Sequence, residues 1–133
     1  MTTIFAAAAA VDGTKGVARV STGRVVLWVG QVLVAGMFLT AGGSKFAGAP
    51  DMVAMFDAIG IGQWFRYVTA TIEVGSAIAL LVPSLAPYGA LALVATMTGA
   101  VFTHLFIIGG SPLPPLVLGA GSAAIVWARR DQF

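Results

Sequence analysis

No cysteine occurs in this 133-residue chain, and charge is scarce: seven basic and five acidic side chains make up 9% of it. The missing cysteines exclude disulfides, thiolate metal sites, iron–sulfur clusters and any dithiol redox chemistry carried by this polypeptide. If the protein serves a redox process, the electrons reside on a bound cofactor or a partner. The scarcity of charge excludes more. Soluble domains carry about 25% charged residues, and a fold of this size needs polar groups over most of its surface. A soluble enzyme and a disordered protein are therefore excluded. Seven basic groups without a basic stripe make no phosphate-tracking surface, so nucleic acid is not an expected partner. What remains is apolar: 59% of the residues are hydrophobic, and between Val74 and Ala128 there is no formal charge and one histidine, His104. The expectation is an all-α integral membrane protein.

Residues 1–23 read as a cytoplasmic tail or short interfacial helix, with an alanine run (Ala6–Ala10) too short to span and too poorly flanked for a signal peptide. Residues 24–129 read as a four-helix membrane bundle, with spans near 24–45, 63–82, 88–108 and 112–128, and residues 130–133 as a second cytoplasmic end. The first span is a charge-free run bracketed by Arg24 and Lys45 and long enough for a bilayer. Between spans 1 and 2, Met52, Met55, Phe56 and Ile59 recur at helical spacing behind Pro50 and Asp51. That pattern predicts a short interfacial helix, its apolar face toward lipid or the upper rim of the bundle. The short turns at Pro83–Pro87 and Gly109–Pro112 force antiparallel neighbours.

Four spans put both termini on one side. Lys15, Arg19, Arg24, Arg129 and Arg130 lie in the tails against Lys45 and Arg66 in the first connection, so the termini are expected in the cytoplasm of a bacterial cell, within its inner membrane. Small residues recur at four-residue spacing: Gly75 and Ala79, then Ala95, Gly99 and Thr103, then Gly119 and Ala123. Such rows let membrane helices approach closely, either within one bundle or across a homo-oligomer face.

Polar groups at bilayer depth each need a reason, because a mid-helix charge costs roughly 2.5–3.5 kcal/mol on insertion scales. At about 1.5 Å per residue, Lys45 lies about 30 Å above Arg24, His104 about 24 Å from Tyr88 and Glu73 about 15 Å below Gln63. Arg66 shares a face with Glu73, and Gln31, Ala35, Phe38, Gly42 and Lys45 share one face of the first span. If these faces converge, Lys45, Arg66, Glu73 and His104 line an outward-opening polar pocket. In an enzyme, Glu73 and His104 are the catalytic candidates, as acid or base and proton partner, and Lys45, Arg66 and Gln31 the substrate-binding candidates. The alternatives are structural: Glu73 as a buried acid paired with Arg66 or a neighbouring helix, His104 as a satisfied histidine, Lys45 and Arg66 as interfacial anchors. One histidine and one buried carboxylate are too few for a haem or dimetal site. No metal ligand set or dedicated cofactor is expected; a quinone or another lipophilic molecule is the remaining ligand class.

Thr40-Ala41-Gly42-Gly43-Ser44-Lys45-Phe46, Phe56-Asp57-Ala58-Ile59-Gly60-Ile61, Thr71-Ile72-Glu73-Val74-Gly75, Leu80-Leu81-Val82-Pro83 and Thr103-His104-Leu105-Phe106 occur in that order. In this succession the chain resembles the DoxX-like family of small four-span bacterial membrane proteins, from about Arg24 to Arg129. The family takes its name from a membrane component of a thiosulfate:quinone oxidoreductase. The resemblance implies the fold, an association with membrane redox systems, and recurrent positions at Lys45, Glu73 and His104, but no reaction. Three function classes follow. One is a non-enzymatic membrane subunit that docks a protein partner of a redox or stress-related system. Another is a small membrane enzyme doing acid–base chemistry on a lipophilic substrate, and the third an oligomeric transporter or channel subunit.

Overall fold

The computed structural model describes residues 22–133, so the stretch read as an N-terminal tail lies almost wholly outside the described residues. The described residues are helical throughout, joined by short turns. Helix α1 spans Thr22–Ala47, α2 Pro50–Ile59, α3 Trp64–Leu80, α4 Ala86–Thr103 and α5 Leu113–Ala128. A π-helical turn, His104–Ile108, extends α4, and a 3-10 turn, Arg130–Gln132, follows α5. Helix α1 packs on α3, α3 on α4, α4 on α5, and α5 returns to α1, so four long helices close side by side with α2 across one end. Two segments are long and apolar enough to cross a membrane by length and composition: Thr22–Ala47 and α4 with its π-turn, Ala86–Ile108. The apolar α5 is shorter, and α3 carries Arg66 and Glu73 within 17 residues.

The expected elements are present, with shifted ends. Helix α1 starts two residues earlier than read, α3 is shorter at both ends, and α4 begins at Ala86 because Pro87 fits a first helical turn, whose N–H needs no partner. The π-turn is a departure that periodicity did not indicate. It ends where Gly109 and Gly110 adopt positive φ (73° and 78°), a conformation that denies the helix a regular finish. Helix α2 has Pro50 in its first turn and stops at Gly60, whose φ of 89° lets its N–H return to Phe56 O.

The core is small-residue packing more than aromatic packing. Ala35, Phe38, Ala77, Leu80, Ala90, Leu93, Met97 and Ile125 form the buried cluster. Close approach rests on particular glycines. A β-carbon at Gly42 would lie 2.6 Å from Val74 Cγ2 and 3.3 Å from Ala70 O, and one at Gly89 2.7 Å from Ser76 O. Gly119 faces Met97, as its row predicts, whereas Gly75 and Gly99 have nothing within 4 Å of a built β-carbon. Gly75 and Gly99 therefore make no close approach within the bundle, whereas Ala79 of the α3 row lies against Gly89 of α4. Outward-facing positions are apolar instead, with Val26, Leu33, Phe102, Phe106 and Trp127 among the most exposed. So much exposed apolar area is foreign to a soluble monomer.

Candidate functional site

Antiparallel packing of α1 on α3 builds the charged centre. A helical side chain leans toward the N-terminus of its own helix. On antiparallel neighbours, Lys45 therefore leans down α1 while Glu73 leans up α3, and the two meet although their α-carbons lie at different heights. Lys45 Nζ sits 2.8 Å from Glu73 Oε1, with side-chain exposures of 10% and 1%. Glu73 Oε1 is buried and off the line of any hydrogen bond, so the contact is Coulombic. Pairing with Arg66, one of the structural readings of Glu73, is thereby corrected: its cation is Lys45.

Arg66 has a different task. Its guanidinium donates from Nη1 to Lys45 O, from Nε to Gln63 Oε1 at 2.8 Å and from Nη2 to Tyr67 Oη at 3.1 Å. The Lys45 carbonyl belongs to the last turn of α1, where carbonyls lack helical partners and the helix dipole favours a cation. Arg66 thus caps α1 and is drawn away from Glu73, seven residues along.

Beside the ion pair opens a cavity of about 490 Å³. Helix α1 contributes Ala41 and Lys45 to it, and α3 contributes Phe65, Thr69, Ile72 and Glu73. Ala95, Thr96, Met97, Gly99, Ala100 and Thr103 come from α4, His104 and Ile108 from the π-turn, and Ser111, Pro114, Pro115 and Leu118 from the start of α5. Met52, Met55, Phe56 and Ile59 of α2 complete it. The amphipathic face of α2 is thus turned into the molecule as a cavity wall, which matches the upper-rim alternative and not the lipid-facing one. An apolar enclosure with a few convergent polar groups is the usual form of a small-molecule site, and its volume falls in the usual range of about 300–1,000 Å³.

Of the sequence-derived residues, Lys45, Glu73 and His104 share this cavity; Arg66 and Gln31 are not among its lining residues. His104 is tied to its own turn, with Nδ1 2.9 Å from Gly109 O. Gln31 lies fourteen residues before Lys45 on α1, about 21 Å away along the axis. There Gln31 Nε2 donates to Leu80 O at 2.7 Å, covering an orphan carbonyl at the end of α3, while its Oε1 accepts from Arg129 Nε. Placing Gln31 with the substrate-binding residues is corrected accordingly: sharing a helix face with Lys45 does not overcome fourteen residues of rise. Arg129 also donates to Gln132 Oε1 at 2.8 Å and lies over the Trp28 ring. Burial, and secondarily the Arg24 guanidinium, holds Arg129 below the ordinary arginine pKa.

The DoxX-like family model matches residues 29–129, from within α1 to the end of α5, and so includes the charged pair and the whole cavity. The chain belongs to the DoxX-like family. No curated protein and no solved structure matches it. Family membership and the apolar helices together mark a membrane protein. The cavity residues that sequence reasoning missed in this DoxX-like chain include Thr69, Thr96, Ser111 and the α2 methionines. The four-residue apolar spacing of α2 signalled a buried face without saying what it covers.

Proposed function

We propose that this DoxX-like chain is a four-span protein of a bacterial inner membrane, with both termini cytoplasmic, and serves as a non-enzymatic subunit of a redox or stress-related system. In that role it holds a lipophilic small molecule, of which a membrane quinone in its reduced, hydroxyl-bearing form is one example, in the cavity beneath α2. The cavity carries the reading: it is mostly apolar, is bounded by every long helix, and has the Lys45–Glu73 pair in its wall. A binding role fits better than acid–base catalysis because Glu73, the acid such a reaction would use, is committed to Lys45. The remaining helices, α3 and α5, reach about 24–26 Å at 1.5 Å per residue and span with their flanking turns.

The test is purification in a gentle detergent followed by native mass spectrometry. The expected result is a lipophilic adduct at stoichiometric occupancy, together with any protein partner that stays bound. Thr69→Trp, which fills the cavity from α3, should remove the adduct while the protein remains folded. Absence of any adduct, or an adduct indifferent to Thr69→Trp, overturns the ligand reading.

A further inference from the structure

We propose that the ligand of this cavity is a neutral lipophile bearing a hydroxyl donor, and that His104 Nε2 is the acceptor that orients it. This rests on the ligand reading above.

The polarity of the imidazole follows from its partner. Nδ1 stands 2.9 Å from Gly109 O, and a carbonyl oxygen can only accept, so the ring proton is on Nδ1. In neutral histidine that leaves Nε2 as a lone-pair acceptor. The backbone fixes this arrangement. The π-turn and the positive φ of Gly109 place that carbonyl five residues after the histidine and level with its ring. His104 is half-buried and lines the cavity, and Nε2 is the nitrogen left for an occupant.

The threonine hydroxyls of the wall are already engaged as donors. The hydroxyls of Thr69, Thr96 and Thr103 donate to Phe65 O, Ala92 O and Gly99 O of their own helices at 2.8–2.9 Å. Ser111 Oγ accepts from Leu113 N–H. The Lys45 ammonium is held by Glu73, and the pair contributes no net charge. An anionic or cationic head would meet a neutral apolar enclosure and be penalised for desolvation. A head that only accepts is left with the Ser111 hydroxyl and the Lys45 ammonium, whereas a hydroxyl also finds a ready acceptor in His104 Nε2. The hydrocarbon part then lies against Met52, Met55 and Phe56 of α2, where flexible thioethers adapt to irregular shapes.

A matched pair of probes tests this: 4-octylphenol and its methyl ether, titrated into the full chain in detergent and read by native mass spectrometry. The ether keeps the shape but has no proton to give. The expected result is about five- to tenfold tighter binding of the phenol, the effect of one net hydrogen bond. In His104→Leu the preference should fall to near unity with ether binding unchanged; in His104→Gln, whose amide oxygen still accepts, part of it should persist. Equal binding of both probes to the wild-type chain overturns the proposal while leaving the ligand reading intact. A preference that survives His104→Leu also overturns it. Binding of neither probe refutes the ligand reading itself. Should His104→Leu fail to fold, the wild-type ratio and His104→Gln still decide.

Discussion

Glu73→Gln is the substitution that most directly measures what the buried pair does. At 2.8 Å and an effective dielectric of about 20, the gross attraction between the two charges is about 6 kcal/mol. Most of that offsets the desolvation of both groups, so the pair itself adds little to stability. Removing one partner is different, because it leaves the other charge buried and unpaired, at a cost of about 3–5 kcal/mol. Glutamine is nearly isosteric and leaves an amide dipole beside the ammonium, while Lys45 borders the cavity; both place the expected loss at the lower end, about 3 kcal/mol. For a chain of this length each kcal/mol moves Tm by about 4 °C, so the melting point in detergent should fall by about 12 °C. Adding Lys45→Met should restore most of it, since an apolar pair of similar volume avoids both desolvation costs. A Glu73→Gln protein melting within about 2 °C of wild type, or a double variant worse than the single, would refute the argument. The first outcome would mean that Lys45 reaches water once released, the second that the charges are needed for more than each other.

The glycine contacts predict an asymmetry. Gly42→Ala, whose new methyl meets Val74 and a backbone carbonyl, should cost about 1–3 kcal/mol by overpacking. Gly75→Ala, in open space, should be neutral or stabilise by up to about 1 kcal/mol through helix propensity; thermal melts of the two variants check both. For topology, cysteines introduced at the exposed Ala58 and Asp131 should react with an impermeant thiol reagent from opposite sides of the membrane. Labelling of both from one side contradicts the proposed spans.

The helices were legible in the sequence because they are written in composition: charge-free runs, prolines at starts and glycines at stops need no tertiary knowledge. Lys45, Glu73 and His104 were legible too, since polar groups in apolar runs stand out by their cost alone. What could not be read was direction. For Glu73 the sequence leaves open Arg66 or a partner on a neighbouring helix, and the choice depends on the lean of side chains on antiparallel helices and on the carbonyl that Arg66 covers. Gln31 shared a face with Lys45, but a face is a line along the whole helix and says nothing about height. The π-turn was illegible because a single widened turn leaves the apolar pattern of Leu105 to Ile108 unchanged.

The contacts between α1 and α3 form a ruler with marks at both ends. Gln31 is fastened to Leu80 at one end, Gly42 is seated on Ala70 and Val74 in the middle, and Lys45 meets Glu73 and the Arg66 guanidinium at the other. A slide of one helical turn, about 5.4 Å, would break every mark at once. Opposite this pair the cavity is bounded by α2, strung between left-handed glycines at Gly48 and Gly60, and by the widened turn that carries His104. The enclosure therefore has one wall built from two paired long helices and one built from a short helix tied to α3 through Gln63 and Phe65. The two walls thus differ in kind: on one a charged pair is fixed at 2.8 Å, and on the other flexible methionine thioethers face the same space.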